Sequence, residues 1–320
     1  MRFAAAALAA SAAMLIPSAN GESQGEPLEW LKKIASAARE LNYAGVFVYQ
    51  HGNQVETSRI IHSADLSGDY AKLESLDGPP REIIRSNEEI RCYLPESKTV
   101  KIETRKFDKS FPALLPENFL RVTEHYNLRH GPIKRVAGHN CQVLLLEPKD
   151  NLRYGRTFCA DIETGLLLKA STLNEKDQLV EQIAFTQLNI GDIDREMLKS
   201  KYAGEQWKVD QTAVPAPASK ETGWMVKSQP SGFKKIMEMR RHMVGKAEPI
   251  SHLVFSDGLA AVSVFIEAVP KGKTVNQGSF QHGAINVHTK AVGDHMITVL
   301  GEAPAATVTQ IANSVAPVGK

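Results

Sequence analysis

The sequence predicts an α+β protein of two domains: a largely antiparallel, meander-like sheet with a leading helix, then a smaller β-rich unit closed by a terminal helix. Three observations carry that expectation. An apolar stripe at helical spacing precedes a long succession of short alternating runs, turn residues separate those runs, and a Pro- and Ala-rich break interrupts the pattern near residue 204. The 320 residues suffice for two cores by the prior of roughly 100–200 residues per domain.

The elements follow in order. Arg2, an Ala-rich apolar run to Ile16, and then Pro17, Ser18, Ala19, Asn20 and Gly21 have the charged start, short apolar core and small-residue end of a secretory signal. Residues 1–21 are therefore expected to direct export, with cleavage after Gly21 favoured over Ala19. In residues 27–41, Leu31, Ile34, Ala38 and Leu41 recur at steps of three and four, and Trp30 widens the stripe of this amphipathic helix. The period then changes to two. Residues 43–50 and 54–62 flank His51-Gly52-Asn53 as a hairpin, and further strands are expected at 70–76, 82–85, 90–94, 100–103, 141–147, 156–162, 166–174 and 179–188. Asp77-Gly78 and Pro79-Pro80 force a tight reversal, since Gly takes positive φ cheaply and Pro has no N–H for a ladder. Residues 119–126 read as a short helix with Pro116 near its start.

The first strand is apolar on both faces: Tyr43, Gly45, Phe47 and Tyr49 on one, Ala44, Val46 and Val48 on the other. Two readings stay open, a strand covered by protein on both sides or one with a face on a lipid-accessible cavity. Tyr43, Val46, Phe47, Val48 and Tyr49 are the cavity candidates. The first domain is placed at 22–203, a linker at 204–222 around VPAPASKETG, and the second domain at 223–317. Its strands are expected at 224–226, 233–244, 250–255, 260–267, 284–289 and 295–300, with Ser256-Asp257-Gly258 as a turn. Pro304 opens a helix that carries Val308, Ile311, Ala312 and Val315 at helical spacing.

The chemistry is defined mainly by exclusions. A net charge of +2 gives no case for nucleic acid, and no stretch reaches the roughly 18 apolar residues of a membrane span. Lys271-Gly272-Lys273-Thr274 lacks the phosphate-loop glycine, with Glu267 in its place. Hydrolase-elbow, zinc-protease and thiol-redox motifs do not occur, so no catalytic residue, metal or cofactor is assigned. His282, His288 and His295 match no metal template and read as packed or surface histidines. Of the three cysteines, Cys141 and Cys159 fall roughly opposite in a hairpin centred near Asp150; a bridge and two buried thiols are both open readings, and Cys92 reads as packed. Met237, Met239, Arg241 and Met243 share one face of a strand, either a core face or an adaptable partner surface. Arg81, Arg85, Lys234, Lys235, Arg240 and Arg241 are the candidates for an anionic headgroup or an acidic peptide.

Residues 72–85, KLESLDGPPREIIR, resemble a signature of the RseB/MucB family of periplasmic regulators. So do NYAGVFVYQHGNQVETSRIIH at 42–62, IRCYLPESKTV at 90–100 and YGRTFCADIETGLLLKASTLN at 154–174. In the second half, ISHLVFSDGLAAVSVFIE at 250–267 and HMITVLGEAPAATVTQIANSV at 295–315 resemble the family's carboxy-terminal domain. The resemblance implies a LolA/LppX-like half-barrel, a curved antiparallel sheet around an apolar cavity, followed by a smaller regulatory domain. It implies a non-enzymatic protein that binds the periplasmic domain of a membrane-spanning anti-sigma factor of the RseA/MucA kind. Binding would shield that factor from its site-1 protease and restrain the sigma-E (AlgU-type) response until lipid or lipopolysaccharide releases it. The alternative is a periplasmic lipid or lipoprotein carrier without a signalling role. Exposed sheet edges also leave room for a homodimer.

Overall fold

The structure is a computed structural model in which residues 25–104, 110–115, 119–211, 221–241, 248–270, 272 and 276–319 are described. The expected signal segment 1–21, Pro116, Met243, Lys271, Lys273, Thr274 and the linker residues 212–220 lie outside them. Helix α1 (Gly25–Glu40) places Glu26 in its first turn and Arg39 in its last, complementing the helix dipole. Its stripe of Leu31, Ile34, Ala35 and Ala38 is buried in the core of the first domain.

That domain is built on one twelve-stranded sheet. The chain runs outward through β1 (Tyr43–His51), β2 (Gln54–Asp65), β3 (Gly68–Ser75), β4 (Glu82–Ser86), β5 (Glu89–Leu94) and β6 (Thr99–Thr104). Short α2 (Leu120–His125) then leads to the opposite edge, β7 (Tyr126–Val136). From there β8 (His139–Pro148), β9 (Gly155–Asp161), β10 (Leu167–Leu173) and β11 (Leu179–Ile190) return inward until β11 pairs with β1. The ladders are antiparallel except at the far edge, where β12 (Lys208–Gln211) lies parallel to β6. The sheet curves enough for β7 to approach β11, and His139 at the start of β8 places a ring nitrogen 3.4 Å from the Leu188 carbonyl of β11. α1 packs against β2, β7 and β10 on the face that carries the core.

The second domain begins with β13 (Trp224–Val226), followed by β14 (Lys234–Arg241), β15 (Ile250–Ser256), β16 (Ala261–Ala268), β17 (Gly278–His282), β18 (Ile285–Val292) and β19 (His295–Gly301). Helix α3 (Ala305–Ser314) and β20 (Val315–Pro317) complete it. β13 pairs with β20, while the others form a six-stranded antiparallel sheet in the order β14-β15-β16-β19-β18-β17. Val308, Ile311 and Ala312 of α3 close the core over Leu253, Phe255, Val264 and Val299.

Several strands depart from the sequence reading, β20 among them: Val315, expected on the closing helix, instead begins that strand and pairs with Val226. β7 alternates only from Tyr126 to Arg129 and then contains Gly131-Pro132; it is an edge strand with a register shift between His130 and Ile133, the setting in which a sheet tolerates Pro. β12 forms inside the stretch expected as linker, because Lys208 to Gln211 find a free edge on β6. β17 is exposed along its whole length, so no apolar pattern marked it. The strand expected at 233–244 is shorter, ending at Arg241 among the described residues.

Candidate functional site

The apolar cavity of the first domain, about 190 Å³, opens on the face covered by α1. Tyr43 and Phe47 of β1 line it with Ile60, Leu73, Ile90 and Phe111. Phe111 packs on Phe47 and Phe185, with centroids 5.2 and 4.8 Å apart. Gly45 makes this approach feasible, since a Cβ there would lie 2.8 Å from the Phe185 ring. Val46 and Val48, expected at the cavity, point to the opposite face because side chains alternate along a strand, and they are only half-buried. Tyr49 lies beyond the cavity, donating its hydroxyl to Glu181 at 2.7 Å.

One wall of the cavity is polar and paired throughout. Buried His62 stacks on Tyr43 and places its ring nitrogens 2.7 Å from the Leu41 carbonyl and 2.9 Å from Asp69. Arg85 donates to the same carboxylate at 2.8 Å. Burial pushes the Asp69 carboxyl up, but His62 and Arg85 outweigh it and hold the group below its usual range. Of the two arginines proposed in this region, Arg85 thus lines the cavity, whereas Arg81 is exposed on the 77–81 turn.

The charges of the 72–85 run have structural work. Lys72 and Glu82 form a buried ion pair at 3.0 Å, and Lys72 also donates to the Lys199 carbonyl at 2.6 Å. Glu82 accepts from Ser200, Glu74 from Lys201, and Asp77 from the Thr57 backbone N–H at 2.8 Å. The run clamps residues 199–201 to the sheet.

The two domains meet at the β8–β9 turn, which the sequence reading treated as a plain reversal. Arg153 is fully buried there and donates to Asp150 at 3.0 Å, to Asp257 at 2.9 Å and to the Ser231 carbonyl at 2.6 Å, with its guanidinium over Tyr126 and Phe233. Asp257 belongs to the second domain and also accepts from the Leu259 and Ala260 N–H groups. Around this pair, Asn286 donates to the Tyr154 hydroxyl at 2.8 Å, and Thr307 donates to the Leu152 carbonyl at 2.5 Å. Gly232 approaches His125 so closely that a Cβ would lie 2.1 Å from the ring, and its φ of +84° independently favours glycine. At the base of the same hairpin, Cys141 and Cys159 form a disulfide across a sequence separation of 18. The hairpin is centred one residue later than expected: Cys141 faces Asp161 and Cys159 faces Val143, so the bridge is diagonal. Cys92 is half-buried, and burial pushes its thiol up.

On the second domain, Lys234, Lys235, Arg240 and Arg241 all lie on β14 and are not in the cavity that holds Arg85. Lys235 pairs with Glu238, and Arg240 donates to the Thr222 carbonyl at 2.9 Å. Arg241 lies over Phe265 at 5.2 Å, and the ring of His252 stacks on the same Phe265 at 4.2 Å. Met237, Met239, Arg241 and His252 share the face turned away from α3. Burial, then the Arg241 charge, pulls the His252 pKa down from 6.5 to about 4. His282 and His288 pair with Ile285 and Ser279, and no group of metal ligands forms among the described residues.

Comparison with known proteins accounts for this architecture. The MucB/RseB N-terminal domain family matches residues 26–214, and the MucB/RseB C-terminal domain family matches residues 218–316. The chain belongs to the MucB/RseB family. A curated relative, the sigma factor AlgU regulatory protein MucB of Pseudomonas aeruginosa, is 33% identical over 301 residues, covering 90% of each chain. A crystal structure of MucB in complex with MucA(peri) aligns with a TM-score of 0.74 at 29% identity, covering 92% of this chain and 100% of the other. A crystal structure of MucB aligns with a TM-score of 0.62, also at 29% identity, covering 92% of this chain and 98% of the other. The MucB/RseB pattern therefore extends over both domains in order.

Proposed function

We propose that the protein is a periplasmic regulator that holds the periplasmic domain of a membrane-spanning anti-sigma factor, protects it from site-1 proteolysis and so restrains a sigma-E-type response. The observation that carries this reading is the likeness over 92% of the chain to MucB in complex with MucA(peri). The paired seam at Arg153 supports it, because two domains held in one arrangement present a continuous surface to an extended partner. The first-domain cavity is the receptor for the releasing signal, a lipid or lipopolysaccharide acyl chain. At about 190 Å³ it is smaller than the ~300 Å³ of ordinary ligand sites, so an acyl chain must displace Phe111 to enter. A ligand that requires this rearrangement releases the partner only by binding the partner-free state more tightly. The test is reconstituted cleavage of the anti-sigma periplasmic domain with and without this protein, followed by addition of lipopolysaccharide. Protection that lipopolysaccharide abolishes is expected; cleavage at an unchanged rate in the presence of the protein overturns the proposal.

A further inference from the structure

The most unusual polar site lies on the face of the second domain opposite α3. Both ring nitrogens of His252 and the Nε of Arg241 are buried and have no hydrogen-bond partner among the described residues, His252 being only 6% exposed. A buried unpaired polar group costs roughly 1–3 kcal/mol, and here such groups gather around one aromatic ring, Phe265. Packing alone does not call for this, because an apolar side chain would fill the place of His252 without the penalty. The neighbouring strand is also incomplete. β14 is the edge of its sheet, and no described strand pairs with its outer side. It exposes Ile236 at 60% and, in KKIMEMRR, carries four cations against one carboxylate. That carboxylate, Glu238, is already engaged by Lys235 and Thr222.

We propose that the outer edge of β14, with Arg241 and His252 at its end, receives an extended acidic segment of the anti-sigma partner. The partner's backbone adds to the strand edge, and an aspartate or glutamate side chain accepts hydrogen bonds from Arg241 Nε–H and the His252 ring N–H. The half-buried Met237 and Met239 supply an adaptable apolar floor beside that anchor. This inference rests on the function proposed above and adds where the partner docks and which partner chemistry is read. It also predicts linkage to protons. Arg241 on β14 is the charged group that lowers the affinity of His252 for a proton, and Glu267 of β16 shares the face one residue pair beyond Phe265. A bound carboxylate offsets the Arg241 charge and favours the imidazolium, so the complex tightens as pH falls from 7 towards 5.5.

The experiment is calorimetric titration of the mature protein with the periplasmic domain of its anti-sigma factor, using wild type, R241Q and H252F. Each substitution is expected to weaken binding by about tenfold, while H252F raises the melting temperature of the free protein. That opposition separates a binding group from a structural one. Within the partner, one Asp→Asn or Glu→Gln change should reproduce the loss and add nothing to R241Q. Wild-type affinity in both variants, or a lower melting temperature in H252F, overturns the inference. So does R241Q that keeps partner affinity but loses binding to phosphatidylglycerol vesicles, which would make the site a lipid site. Failure of the wild-type protein to bind the domain would instead overturn the function on which the inference rests.

Discussion

Arg153 and Arg241 each lie over aromatic rings, and they differ in whether their donors are met. Arg153, between Tyr126 and Phe233, is fully buried and spends its guanidinium on Asp150, Asp257 and the Ser231 carbonyl. Arg241, over Phe265, keeps a buried Nε without a partner among the described residues, beside a histidine in the same condition. A saturated buried arginine fixes one arrangement of the chain, and an unsaturated one leaves capacity for another molecule. The contrast separates the seam that joins the domains from the surface proposed to meet a partner.

The largest effect expected from breaking this contrast is at the seam. D257A removes the carboxylate facing a fully buried guanidinium and should cost about 4 kcal/mol in urea unfolding, because the remaining charge cannot reach water. A loss below about 1 kcal/mol would mean that Asp150 and the Ser231 carbonyl suffice for Arg153. Next comes the disulfide at the base of the same hairpin. Replacing Cys141 and Cys159 together by Ala should cost about 3 kcal/mol by denaturant titration, as expected for a closed loop of this length.

Acidification sharpens the comparison from the other side. His252 is depressed from 6.5 to about 4, so between those values the unfolded chain binds a proton that the fold refuses. Stability should therefore fall as pH drops from about 6.5 towards 4, and H252F should flatten that limb in melting curves taken across the range. The carboxyls of Asp69, Glu74, Asp150 and Glu238 are held below their usual range, so their contribution survives at neutral pH and disappears further into acid, in wild type and variant alike. The smallest effect is expected at Arg241: R241Q should leave unfolding stability within about 0.5 kcal/mol of wild type, the opposite of D257A.

Local patterns made much of the fold readable. The spacing of Leu31, Ile34 and Ala38 gave a helix, and the alternation in β1 and β2 gave a hairpin, because each period reflects a face that the core must cover. β17 escaped that logic, since this edge strand is held by its ladder and buries none of its side chains, and β7 escaped it because its alternation stops after Arg129, before Gly131-Pro132. The cavity was half legible. Tyr43 and Phe47 reach it, but a strand apolar on both faces does not say which face is enclosed, and Val46 and Val48 lie on the other one. Arg81 and Arg85 looked equivalent in the 72–85 run, yet Arg85 is engaged with Asp69 in the cavity wall while Arg81 is exposed on the turn.

By itself the sequence determined the family, the division into two β-rich domains and the order of most of their elements, because these follow from contiguous motifs and side-chain periods. Only the tertiary structure decided that the 149–154 turn joins the domains, that Asp257 faces Arg153, and that Arg241 and His252 find no partner among the described residues around Phe265. Whether a polar group is satisfied depends on atoms far away in the chain. The physical reason is that burial and hydrogen bonding are properties of a site, and a site exists only after the chain has closed around it.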